Sequence, residues 1–362
     1  MPAITRINAA PYDLPLRGGL TWGSGHELRR LRHVLIRVEL ADGAVGIAEA
    51  TPRPSIYGET QASILHIVAE HLAPPLLGAE VDGFESVAAL SARLALFKNN
   101  NTAKGALDMA LHQALANSRG ERLADYLGAT RERIQVSTIV SAGSSAAVAA
   151  DVSAAYEAGL RVFKVKFGRD IDGEIETIGR LIEAYPAARF YVDANETLAA
   201  ESAASVLNEL HDLGVMHCEE ALPTHLLRER RQLRRDCRMP IIADDSAFTL
   251  SDLEREITFD SFDILNIKTA RSGYSQSRRM LEMCLDADKD AMIGSQASSL
   301  LGCMQAAVFA GQAAVNCASE CSFYLKADDD LRFAPPIVDG FLQMPDVEWS
   351  LTQVQGSLVD FA

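Results

Sequence analysis

Lysine is scarce in this 362-residue chain: seven occur, at positions 98, 104, 164, 166, 268, 289 and 326, while plentiful arginine supplies the surface positive charge. Positive charge is short overall. With 34 Lys and Arg against 49 Asp and Glu, the formal charge of -15 excludes nucleic acid and anionic membranes as partners, because either needs a basic face. Paired cysteines are missing as well. The six present, at 218, 237, 284, 303, 317 and 321, are scattered without a CxxC, the pattern of a reduced protein rather than a disulfide framework. The N-terminal MPAITRINAAPYDLP lacks the apolar core of a signal peptide, and no run approaches membrane-spanning length. The expected location is the cytoplasm. Low-complexity linkers are absent too.

What is present is a 48% hydrophobic composition, enough for two domains or for one barrel with an added domain. Residues 1 to about 50 alternate apolar and polar positions, and ADG in HVLIRVELADGAVGIAEA marks a hairpin turn. Residues 60–126 change to helical periodicity, so 1–128 reads as an α+β domain. From Ile134 strands and helices alternate. Strands are expected at IQVSTIV, RVFKVKF, RFYVDAN, GVMHCEE, PIIADDS, FDILNIK, DAMIGSQ and NCASECS, which specifies an α/β fold, a (β/α)8 barrel over 129–335. The stretch 336–362, with PPIVDGFLQMPDVEWS, looks extended and is expected to return to the first domain.

Six charged residues stand at the ends of these strands: Lys164, Lys166, Asp193, Glu219, Asp244 and Lys268. From Lys166 onward they are about two dozen positions apart, one βα unit each, so a parallel barrel brings them to one rim. Asp193, Glu219 and Asp244 together would repel unless a cation intervened, and carboxylate oxygens suit Mg2+. Singly, each acid reads equally as a helix N-cap. Asn195 would point the same way as Asp193, or cap the next helix. Glu220 reads as a polar strand end facing away, and Asp245 as a possible partner of Lys268.

Arginine stays protonated, whereas a crowded, buried lysine can lose its proton near neutral pH. Spacing i, i+2 puts Lys164 and Lys166 on one face, where mutual repulsion should lower the pKa of one or both. Lys268, four strands along, would approach the pocket from the other side. The competing reading is an amphipathic KVK strand and a surface salt bridge at Lys268.

At these residues the chain resembles the enolase superfamily and its muconate lactonizing enzyme subgroup. The likeness is carried in order by KxK at Lys164–Lys166, D-x-N at Asp193, E-E at Glu219, A-D-D-S at Asp244 and Lys268, and by AEATPRPSIYGETQ, IKTARSGYSQS, GSQ and SECSFYL. It implies a modified TIM barrel under an N-terminal capping domain, whose loops Gly18–His26 and Pro52–Tyr57 close over the mouth. It further implies Mg2+ or Mn2+ on Asp193, Glu219 and Asp244, proton chemistry at Lys164, Lys166 and Lys268, and substrate contacts at Tyr57, Asn195, Gln296 and Glu320. The implied reaction is a cycloisomerization, closing cis,cis-muconate, a small anionic dicarboxylate, to muconolactone through an enediolate. The alternative on the same site is racemisation or epimerisation of N-acylamino acids or dipeptides. A non-catalytic binding barrel is the remote third reading. Dipeptide epimerases resemble one another in an Asp-x-Asp on the eighth strand that grips the substrate amine, where this chain has Ser319-Glu320-Cys321. The resemblance also suggests a homo-oligomer, an octamer.

Overall fold

The computed structural model of the chain describes residues 1–22, 26–328 and 334–346. The N-terminal strands β1 (Ile4–Trp22), β2 (His26–Leu40) and β3 (Val45–Ala50) pair as an antiparallel sheet in that order. ADG turns the second hairpin: Gly43 takes φ +88, where a Cβ would be strained, and Asp42 Oδ1 accepts from Ala44 N at 3.1 Å. Helices then cover the sheet. Helix Asn101–Ser118 lies so close to β3 that a Cβ on Gly46 would stand 2.0 Å from Ala110 O.

The segment IQVSTIV splits into β4 (Arg133–Gln135) and β5 (Ser137–Val140). From β5 the chain alternates strand and helix through β6 (Val162–Lys166), β7 (Arg189–Asp193), β8 (Cys218–Glu219), β9 (Ile241–Ala243), β10 (Ile264–Ile267) and β11 (Asp290–Ile293). These seven form one parallel sheet in sequence order, curled as a modified TIM barrel. Apolar side chains such as Phe163, Phe190 and Leu265 fill the space between sheet and helices.

Two expectations are corrected. NCASECS does not form an eighth strand: Asn316 N and Cys317 N bond to Ala291 O, Glu320 N bonds to Ile293 O, and Ser137 N to Ser319 O, so a few backbone bonds bridge β11 to β5. The stretch after residue 335 pairs elsewhere than expected. There β12 (Ile337–Val338) and β13 (Phe341–Gln343) form a hairpin that joins β4, with the Arg133 guanidinium over the Phe341 ring, rather than joining the N-terminal sheet. Residues 347–362 lie outside the described residues. Among the described residues no helix is long and apolar enough to cross a membrane.

The N-terminal domain grips the barrel through two buried acids. Asp108 Oδ2 accepts from Tyr274 N at 2.5 Å and Ser275 N at 3.0 Å, where helix Thr269–Asp286 kinks at Gly273. Glu49 accepts from Ser299 N, Ser299 Oγ and Gly302 N at the start of helix Leu300–Ala310. Each acid has a buried histidine beside it, His112 and His33 respectively. His112 Nε2 is 2.9 Å from Ser275 Oγ, and its Nδ1 is 2.9 Å from Tyr126 OH.

Burial pushes the His112 imidazole down to about 4, with Asp108 only partly opposing it. Below the ordinary histidine value the unfolded chain therefore takes up a proton that the folded protein refuses, so stability falls with pH until about pH 4. Between pH 7 and pH 4.5 this one group is expected to remove about 2.5 kcal/mol. Urea titrations of the wild type and His112→Gln across that window measure it. The variant should lose that much less of its stability on acidification.

Candidate active site

Parallel strands all end on one face, and that face carries a cavity of about 600 Å³ lined in part by the N-terminal domain. Of the ten residues singled out from the sequence, Lys164, Lys166, Asp193, Asn195, Asp244, Lys268, Gln296 and Tyr57 line it. Glu219 and Glu320 lie beneath, both bonded to Lys164. Strand register explains the meeting: Lys166 is the partner of Asp193 across β6 and β7, and Asp193 of Glu219 across β7 and β8. Leu20, Trp22, Arg53 and Ile56 roof the cavity. Residues 23–25 of the expected Gly18–His26 loop lie outside the described residues.

Each carboxylate expected to hold a cation is paired with an ammonium. Lys166 Nζ donates to Asp193 Oδ2 at 2.6 Å and to Asn195 Oδ1 at 3.0 Å. Lys268 Nζ stands 2.5 Å from Asp244 Oδ2. Lys164 Nζ is shared among Glu320 at 2.5 Å, Glu219 at 2.9 Å and Asp193 at 3.4 Å. The expected fall in lysine pKa is reversed at Lys164. Burial would depress its ammonium, but Glu219, Glu320 and Asp193 overcome burial and hold it well above the ordinary lysine value. At Lys268 burial is likewise outweighed, chiefly by Asp244. Burial raises Glu219 far above the usual carboxylate range despite Lys164, whereas Lys166 and Lys164 overcome the same effect at Asp193 and hold it low.

As arranged, no group of three His, Cys, Asp or Glu among the described residues is disposed to hold a metal ion. Each of the three carboxylates is instead ion-paired to a lysine ammonium within 2.9 Å. The donor chemistry nevertheless suits a hard divalent cation: three carboxylates stand at the ends of three neighbouring strands, and among the described residues the buried Asp244 Oδ1 accepts no hydrogen bond, the Arg271 guanidinium standing 3.2 Å away as an ion pair.

Asn195 does not cap the next helix, which begins at Ala200 with Ala199 at its cap. Gln296 Oε1 accepts from Thr51 Oγ1 at 2.7 Å, leaving its buried Nε2 without a partner in the cavity wall. The Tyr57 ring packs 5.1 Å from that of Phe248. Glu320 is engaged on both oxygens: Oε1 takes Lys164 and Tyr191 OH, and Oε2 takes Ser295 N at 2.8 Å. Asp245 bonds Arg271 at 2.7 Å, so its expected pairing with Lys268 is not made. Glu220, read as a polar strand end facing away, is instead buried and bonded to Arg230 at 2.7 Å. Sequence reading also missed Arg271, which holds Asp244 O at 2.8 Å. Its place one helical turn after Lys268 was the available signal.

Residues 147–348 match the family described as enolase C-terminal domain-like, and residues 23–128 the mandelate racemase / muconate lactonizing enzyme N-terminal domain. The D-Ala-D/L-Ala epimerase of Cytophaga hutchinsonii is 28% identical over 319 residues, 87% of this chain and 84% of that protein. Further curated relatives are named L-Ala-D/L-Glu epimerase and aromatic dipeptide epimerase. Among solved structures, muconate lactonizing enzyme from Mucobacterium Smegmatis complexed with muconolactone superposes with TM-score 0.89 at 31% identity, covering 99% of this chain and 97% of that one. Dipeptide epimerase from Cytophaga hutchinsonii, complexed with Mg and D-Ala-L-Val, gives 0.86 at 26%, covering 95% and 94%.

Lys164→Met removes the one cation that Glu219, Glu320 and Asp193 share, and buried charge left uncompensated is expected to cost about 3–5 kcal/mol near neutral pH, read by urea titration. The deficit should shrink on acidification. Burial already holds Glu219 high, so it takes up a proton in the folded state before it does in the unfolded chain.

Proposed function

This chain belongs to the enolase superfamily, and within it we propose a racemase or epimerase that moves the α-proton of an N-acylated amino acid between Lys166 and Lys268. One observation carries the reading: lysines from β6 and β10, four strands apart in the curled sheet, line a single cavity. Inverting a carbon needs an amine on each face, one to take the proton and one to return it. The curated relatives are named as epimerases of dipeptides, which supports proton exchange at an α-carbon over ring closure but not the choice of an N-acyl group.

Asp193, Glu219 and Asp244 would hold Mg2+ or Mn2+, whose charge, when bound, offsets the negative charge that builds on the substrate carboxylate. Lys164, kept protonated by its three acids, adds fixed positive charge from below. Asn195 steadies Lys166, and the unpaired Gln296 Nε2 is a donor for the acyl carbonyl. Leu20, Trp22, Ile56 and Tyr57 offer the acyl group an apolar roof. In the Ser319-Glu320-Cys321 region the one carboxylate is spent on Lys164, Tyr191 and Ser295, which leaves none there for a free substrate amine. An acyl group without an ammonium therefore fits better than a dipeptide.

Ring closure of cis,cis-muconate is the second reading, favoured by the 31% identity to a muconate lactonizing enzyme across 99% of the chain. Proton NMR in deuterated water separates the two. Protein with Mn2+ removed and Mg2+ supplied should exchange the α-proton of both enantiomers of an N-acetylated apolar amino acid and leave muconate unchanged. Singly deuterated muconolactone without α-exchange would reverse the choice. Lys268→Ala should lower exchange on one enantiomer by about a hundred- to ten-thousand-fold while sparing the other, and Lys166→Ala should do the converse.

A further inference from the structure

Glu220 follows a proposed cation ligand, is 3% exposed, and takes φ +41, a left-handed backbone that a side chain seldom adopts unless its surroundings impose it. Its main chain ties three neighbouring segments together: Glu220 N donates to Ile242 O at 3.1 Å, and Glu220 O accepts from Glu196 N at 2.7 Å. Its carboxylate is used completely. Oε1 accepts from Asp244 N at 2.6 Å, Ser246 N at 2.9 Å and Ser246 Oγ at 2.6 Å, while Oε2 accepts from Arg230 Nη1 at 2.7 Å. Arg230 is itself 4% exposed and is anchored by Leu222 O at 3.1 Å and by Glu256 at 3.4 Å.

A buried arginine beside a glutamate needs only one carboxylate oxygen for charge compensation. Here the other oxygen is committed three times to the turn that begins at Asp244, and among the described residues it is the one side-chain acceptor of Asp244 N. We infer that Glu220, braced by Arg230, is a positioning residue that fixes Asp244 relative to Glu219, the preceding residue, and so sets the spacing of two cation ligands. This rests on the cation site proposed above. Because Glu219 and Glu220 are consecutive, one rigid peptide couples the ligand on β8 to the clamp that holds the ligand beyond β9. The amide in Glu220→Gln keeps an acceptor for Asp244 N but turns an NH2 toward Arg230, so the brace is lost while shape is kept.

The test is Mn2+ binding followed by electron paramagnetic resonance, on purified protein without substrate. Glu220→Gln should weaken Mn2+ affinity about 10- to 100-fold and alter the line shape of the bound ion, whereas the thermal midpoint alone would report a merely structural role. Ser246→Ala removes a single bond to Oε1, leaves the bonds from Asp244 N and Ser246 N in place, and should weaken affinity in the same direction by a smaller factor. Wild-type affinity and line shape in a folded Glu220→Gln, or in Ser246→Ala where Glu220→Gln fails to fold, would overturn the clamp alone. Failure of the wild-type protein to bind Mn2+ would overturn the cation site and the clamp with it.

Discussion

A lysine ammonium buried alone would shed its charge, but with carboxylates at 2.5–2.9 Å, as in Lys268–Asp244 and Lys164–Glu219, it keeps its proton in a low-dielectric rim. The same pairing makes the site responsive. At Lys268 burial pulls the pKa down while Asp244, then Tyr57 and Asp245, pull it up, so a ligand that engages Asp244 would weaken the largest of the interactions that hold the proton on. Arginine would satisfy the pairing equally and never release a proton. The scarcity of lysine elsewhere and its concentration at this rim are thus one fact.

The positions of the strand ends were legible because each ends in a charged residue after an apolar run, and the βα repeat fixes their common face. What failed did so where regular geometry stops. Side-chain alternation sends Glu220 away from Glu219, but it does not tell that the far side is buried against Arg230 and the turn at Ser246 rather than exposed. The eighth strand has the apolar and small residues of its neighbours, yet only isolated backbone bonds span the gap, a distinction composition does not encode. Lysine acidity was misjudged for a different reason. Repulsion between Lys164 and Lys166 follows from their spacing, but the three acids around Lys164 come from β7, β8 and the bridge after β11, which only the closed sheet brings together.

The N-terminal domain contributes more than a roof. Its acids Asp108 and Glu49 cap two successive barrel helices, where orphan backbone N–H groups and the helix dipole favour negative charge. Those helices directly follow the strand ends that carry Lys268 and Gln296. Arg53 extends the grip by donating to Gln296 O and, at 3.1 Å, to Ala297 O, while Thr51 fixes the Gln296 amide. Ala297, at φ +56, is held in a conformation its side chain does not favour, and the bonds from Arg53 oppose its relaxation. A shift of the N-terminal domain would therefore move a lysine and an amide donor together. The roof residues Leu20, Trp22 and Ile56 are in this way mechanically tied to the position of Lys268 on one side of the cavity.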